Sequence, residues 1–204
     1  MILSDKEIRK LCVTDPEEKL ITPFSEESLQ SESYDLTIGD AIFVLKKETG
    51  CIDLTNQQAL DDMYEEIPLT SDGYVLSPHE YIFVPIKEKI TLSENLTAHI
   101  RPRTRFTRLG LLVSDQHCNS TYSGNLKLGV YNATNFPIKI LPNIKIAQIV
   151  FEELKSVPSL EKQYKNKLNA VYQQEKDFIG AKFSDEIRQK IEKAVNIVLG
   201  EENG

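Results

Sequence analysis

The feature that most constrains this chain is a succession of short alternating segments between Gly73 and Leu154. YVL, YIFVPI, KITL, LTAHI, NLKLGVYN, PIKIL and IKIAQIVFEEL follow one another at a spacing of about ten residues. Leu126, Leu128 and Val130 alternate with Lys127 and Gly129, and Ile138, Ile140, Ile144 and Ile146 alternate in the same way. A period of two puts one set of side chains on one face of a strand and the rest on the other. Ser77-Pro78, Lys87-Glu88 and Ser93-Glu94-Asn95 read as turns between the segments. No strand–helix–strand alternation is present, which disfavours a doubly wound nucleotide fold. The pattern predicts a mainly β chain closed into a sandwich or barrel, such as a jelly roll.

Helices are expected only near the ends. Ser4 can cap a helix over Ser4–Leu11, with Glu7 three residues on, Ile8 and Leu11 on one face and Asp15-Pro16 as the stop. Ile21–Ser33 reads as a polar loop, YDLTIGDAIFVL as two strands around a Gly39-Asp40 turn, and Thr55–Glu66 as a loop with a helical turn. After Leu154 the alternation stops. Ser156–Lys182 is polar and reads as an arm or flexible tail. SDEIRQKIEKAVNIVLGEENG reads as a capped helix with Ile187, Ile191, Val195 and Val198 along one side. The expected organisation is a β-barrel domain over 1–155, an arm over 156–183 and an appended amphipathic helix over 184–204.

One stretch works against the overall charge. The chain carries a formal net charge of -7, yet RPRTRFTRLGLL places Arg101, Arg103, Arg105 and Arg108 within eight residues. On a strand, the first three would share a face and repel one another unless an anion lay between them. Guanidinium forks match phosphate oxygens bidentately, so the stretch points to a phosphorylated small molecule. An acidic chain without an extended basic face argues against double-stranded nucleic acid.

Other chemistries are disfavoured by residue type. Cys12, Cys51 and Cys118 are odd in number and far apart, which leaves neither a disulfide framework nor a cysteine zinc site. His79, His99 and His117 form no HxE or HExxH pair, so no zinc is expected, and only His117 lies near the arginines in sequence. No apolar run approaches the length of a membrane span, and the charged MILSDKEIRK opening lacks a signal-peptide core, so no membrane partner and a cytoplasmic location are expected.

Five segments, in order, resemble the dCTP deaminase and dUTPase superfamily, closer to its dCTP deaminase side. They are MILSDKEIRK, Pro23 to Asp40, PRTRFTRLGLL, STYSGNLKLGVYN with Tyr122, Gly124 and Asn132, and Ile144 to Leu154. The resemblance implies a distorted jelly-roll β-barrel of the dUTPase-like type, assembled as a homotrimer with sites between subunits. It implies a pyrimidine deoxynucleotide triphosphate as ligand, with Mg²⁺ carried on its triphosphate. By position, Arg103, Thr104, Arg105, Arg108 and Gln148 would meet phosphate. Asn119, Tyr122, Tyr172 and Gln174 would meet sugar and base, the last two from an arm segment, AVYQQEKD, that also offers Gln173.

Two positions depart from that pattern. The proton-transferring glutamate of the deaminases aligns with Gly129, and the water-orienting aspartate of the dUTPases aligns with Asn119. Neither residue can act as a general base. The expectation is therefore a nucleotide-binding member with impaired catalysis. The alternative is an active dCTP deaminase or dUTP pyrophosphatase using displaced residues, with Asp115 as the candidate acid.

Overall fold

Strand pairing realises the alternation in the computed structural model, which describes residues 1–14, 19–46, 50–183 and 190. Helix α1 (Asp5–Val13) opens the chain and is followed by β1 (Ile21–Thr22), β2 (Tyr34–Thr37) and β3 (Ala41–Leu45). Helix α2 (Gln57–Asp62) precedes β4 (Tyr64–Pro68), β5 (Tyr74–Leu76), β6 (Tyr81–Thr91) and β7 (Leu96–Pro102). Helix α3 (Thr104–Arg108) leads into β8 (Leu111–Val113), β9 (Gln116–Cys118), β10 (Ser123–Asn132), β11 (Ile138–Ile140) and β12 (Lys145–Glu153).

These elements form two units, Met1–Val44 with Glu66–Phe178, and Leu45–Glu65 with Ile179–Gly204. In the larger unit β3, β6, β10 and β8 are consecutive neighbours in one sheet, and β2, β12, β7 and β9 form a second, while β5 and β11 pair as a ribbon. Fully buried side chains from both sheets share one core: Ile82, Val84, Leu128 and Val130 from the first, Leu36, Ile100, Ile149 and Phe151 from the second. The fold is mainly β and jelly-roll-like, with sheets that do not close into a barrel. In the smaller unit, Asn56 caps α2 by accepting from the Ala59 N–H. Lys182 pairs with Asp61 at 2.6 Å there, and the Gln57 carboxamide donates to the Ala181 carbonyl at 3.0 Å and accepts from the Phe183 N–H at 2.9 Å.

Three expectations change. Lys87-Glu88 is not a turn, because β6 runs straight through it. The neighbours Ile86 and Ile90 are buried, and the Glu88 carboxylate accepts the Thr37 N–H at 3.0 Å instead of meeting water. In α1 the predicted Ser4–Glu7 capping box forms, but the inward pair is Ile8 with Cys12, one turn apart, and Leu11 faces outward. The segment after β12 is no loose tail. It makes two short 3-10 turns, Leu160–Lys162 and Tyr164–Asn166, and hydrogen-bonds along residues 120–125. The expected helix over 184–204 lies outside the described residues except for Lys190. Among the described residues no helix is long and apolar enough to cross a membrane.

Burial pushes the Glu88 carboxyl above its ordinary 4.5, against the opposing hydrogen bond from Thr37. The folded state therefore holds this proton more tightly than the unfolded chain does. Stability from this group is intact below the ordinary carboxyl range and is lost as pH rises through the raised folded value. Glu88→Gln keeps an acceptor for Thr37 and removes the charge. It is expected to melt above wild type near pH 7 and level with it near pH 4. Equal melting at both pH values would show that the buried charge carries no penalty.

Candidate functional site

The arginine stretch is built by a strand that ends and a helix that begins. Pro102 is the last residue of β7 and still faces Ala147 across the ladder. Arg103 stays extended and opens α3, so Arg105 and Arg108 lie on a short helix rather than on one strand face. This corrects the expected common face for Arg101, Arg103 and Arg105. Gly110 then turns the chain back with φ +78°, and a side chain there would strike Thr134 at 2.5 Å.

Arg103 is the anchored member. Its Nη1 lies 3.3 Å from the Asp35 carboxylate and donates to the Lys145 carbonyl at 3.3 Å. The Asp35 side chain is 3 % exposed and also accepts from the Gln30 carboxamide at 3.3 Å. Thr104, Arg105 and Arg108 are exposed, and neither Arg105 nor Arg108 makes an ion pair among the described residues. Gln148 sits between Asp35 on β2 and Arg101 on β7, each directly opposite it across a strand pair. Asp115 pairs loosely with Arg101 at 3.9 Å, with both side chains more than half exposed. Such an open, loose pair is a surface contact of little energetic weight.

The hairpin side is different in character. Tyr122 is 6 % exposed, with Tyr164 of the arm 5.9 Å from it between ring centroids. Burial pushes its phenol well above the ordinary range. Asn119 accepts the Tyr122 N–H with its carbonyl, and its side chain hydrogen-bonds His117. Desolvation, then the neighbouring His99, hold the His117 imidazole below its ordinary value. Tyr172 and Gln174 are exposed on the arm, and the Gln174 N–H donates to the Ser123 carbonyl at 2.6 Å. Asn132 has a structural task. Its buried carboxamide donates to the Leu76, Ser77 and Phe136 carbonyls and accepts from Thr134.

Asp115 and Asn119 flank β9, so their backbones stand about 13 Å apart along an extended strand. Gly129 on β10 lies opposite Ser114, the residue before Asp115. It pairs with Phe83, and its own peptide is locked to Ser114, whose N–H donates to the Gly129 carbonyl and whose Oγ accepts the Gly129 N–H. Tyr81 leans across from β6, so that a Cβ at 129 would lie 1.9 Å from the phenol oxygen and 2.6 Å from Cζ. Phe83 meets Tyr81 edge-on at 5.2 Å, and Phe178 of the arm stacks on Phe43 at 4.3 Å. A cavity of about 300 Å³ opens beside this aromatic row, lined in part by Asp40, Phe43, Lys127, Lys176 and Phe178.

Several of these residues were not singled out in the sequence. Asp35 lies inside a segment that reads simply as a strand. Tyr81 carries no signal until β6 and β10 are in register, and Tyr164 none until the arm folds back.

A family profile described as dCTP deaminase-like matches residues 2–154, and the chain belongs to that family. A dUMP-forming dCTP deaminase of Sulfurihydrogenibium is 32% identical over 168 residues, which cover 82% of this chain and 91% of that protein. A dCTP deaminase of Pyrococcus horikoshii is 34% identical over 158 residues, covering 78% and 86% respectively. Among solved structures, the 2'-deoxycytidine 5'-triphosphate deaminase of Agrobacterium tumefaciens superposes with a TM-score of 0.60 at 23% identity. That match covers 76% of this chain and 49% of the other, so this chain spans about half of that structure's length, and the likeness is one of fold.

Proposed function

We propose that this chain binds a pyrimidine deoxynucleoside triphosphate and has lost the deamination chemistry of its relatives. The observation that carries this reading is the packing at Gly129. Where the deaminases resemble this chain but hold a glutamate, the space is filled by the Tyr81 phenol. Proton transfer to a base needs a carboxylate within hydrogen-bond reach, and losing one costs about 10²–10⁴-fold in rate. Asp115 is too open to replace it, and Asn119 is engaged with His117.

The phosphate half supports retained binding. Arg105 and Arg108 face solvent beside an Arg103 held in place by Asp35. The donors there are cationic, and the nearest carboxylate is already paired. A Mg²⁺ ion would therefore take its ligands from the triphosphate oxygens and arrive with the nucleotide. A site shared between copies of a homotrimer is in keeping with the family resemblance. A cytoplasmic location follows from a soluble nucleotide as ligand.

The test is incubation of the purified chain with dCTP or dUTP and Mg²⁺, with chromatographic separation of products and a parallel melting experiment. The expected result is no product and a rise in melting temperature that an Arg105→Ala/Arg108→Ala variant lacks. Conversion of dCTP to dUTP or dUMP, or of dUTP to dUMP, above the level of that variant would overturn the loss of chemistry. No thermal shift with any pyrimidine nucleotide would overturn the binding.

A further inference from the structure

A second group of reactive side chains lies at the C-terminal end of β10, on residues that the nucleotide reading does not use. The loop before β6 and the loop after β10 are both fastened to Asn132, which is fully buried. Its peptide N–H donates to the Glu80 carbonyl at 3.1 Å, and its carbonyl accepts the His79 N–H at 2.9 Å. Its carboxamide donates to the Ser77 carbonyl on one loop and the Phe136 carbonyl on the other. His79 is thereby held at φ +62°, in the left-handed region that residues with a side chain rarely adopt. Such conformations persist where the surroundings over-determine them, and they concentrate at functional positions.

The ring so held lies between two side chains. Nε2 is 3.2 Å from Asn135 Oδ1, and Nδ1 is 3.2 Å from the Tyr131 hydroxyl. A carboxamide oxygen only accepts, so the neutral ring carries its hydrogen on Nε2. Nδ1 then offers its lone pair, and the phenol donates to it. A hydroxyl, a base and a group that orients the base stand in hydrogen-bond succession, which is the arrangement that activates a weak nucleophile. The surroundings are open and apolar. Leu112 lies directly opposite Tyr131 across the β8–β10 pair and is 49 % exposed, and Phe136, next in sequence to Asn135, is 75 % exposed.

We infer that these residues form an acyl-accepting site, with Tyr131 as the nucleophile, His79 as its general base and Asn135 as the positioning residue. The substrate class is an activated ester with a short apolar acyl chain, which Leu112 and Phe136 would border. In the step, the Tyr131 oxygen bonds to the acyl carbon, and the bond from that carbon to the leaving oxygen breaks. The Tyr131 proton passes to His79 Nδ1 and from there to the leaving oxygen, so the products are an ester on Tyr131 and a free alcohol or phenol. The site is independent of the nucleotide reading and stands if that reading fails. A mere tie between two loops would instead leave the Tyr131 phenol no more reactive than any other tyrosine.

The test exposes the whole chain to p-nitrophenyl butyrate and locates the acylated residues by peptide mapping over time and pH, with N-acetyltyrosinamide in the same solution as reference. Tyr131 is expected to acylate about 10²-fold faster than the reference, the lower end of what a positioned base contributes. His79→Gly adopts the same backbone conformation without strain and is expected to bring Tyr131 down to the reference rate. Asn135→Leu is expected to slow the reaction about tenfold, the worth of one ordinary hydrogen bond, and Asn135→Asp, which again offers Nε2 an acceptor, to restore it. The wild-type rate is expected to level off well below the pH of about 10 at which phenols ionise, and the His79→Gly rate to climb through it. Acylation of Tyr131 at the reference rate in wild type overturns the site, and so do equal rates in wild type and His79→Gly. An adduct on His79 with none on Tyr131 overturns it as well.

Discussion

Replacing Arg103 with alanine is expected to destabilise the protein by about 3 kcal/mol, a fall in melting temperature of about 6–12 °C for a chain of this size. The cause is the carboxylate left behind. The Asp35 side chain is 3 % exposed, and its remaining partner is the neutral Gln30 carboxamide. Removing one member of a buried pair strands the other in a poor dielectric, which costs more than the pair contributes. A double variant, Arg103→Met with Asp35→Asn, should therefore melt above Arg103→Ala alone. If the double variant melts lower, Asp35 is not the source of the loss. Arg103→Ala would also abolish nucleotide binding for an indirect reason, by loosening the turn into α3. Arg105 and Arg108, exposed and without ion pairs among the described residues, give the cleaner measure of phosphate contact.

Restoring a glutamate at 129 is expected to lower stability by about 3 kcal/mol without creating a deaminase, because overpacking and an unpaired buried carboxylate act together. The new Cβ would overlap the Tyr81 ring, which must swing off its edge-on contact with Phe83. The local backbone cannot give way easily, since the Gly129 peptide is held by Ser114 on one side and by β6 on the other. Tyr81→Ala combined with Gly129→Glu is expected to recover at least half of the lost melting temperature. That double variant is the one in which to look for dCTP deamination. Melting of Gly129→Glu at the wild-type temperature would mean that the phenol moves freely and that the glycine is not a steric necessity.

Strands such as β6 and most of β12 were legible because they bury one face, and burial writes itself into sequence as alternation. β5, β7, β10, β11 and β12 all fall on segments read that way. The same rule misled at Lys87-Glu88, where polarity suggested a turn but the carboxylate had found a buried backbone donor in Thr37. The family was legible in five ordered segments. The arginines were legible as a cluster but not as a geometry, since nothing in RPRTRF shows that Arg105 and Arg108 ride on a short helix. The glycine under the Tyr81 phenol and the carboxamide of Gln173 were illegible as partners. Each is defined by a residue distant in sequence, and only register or back-folding brings the two together.

The dependence of β10 on the arm has a consequence for synthesis. Ser123 and Gln173 are 50 residues apart, so the strand leaves the ribosome well before the segment that covers its edge. At about 5–20 residues per second the edge stays bare for about 3–10 s on every nascent chain. During that interval neighbouring chains on one messenger present the same uncovered strand to one another. The order of translation, rather than the finished structure, then sets when this sheet is most adhesive.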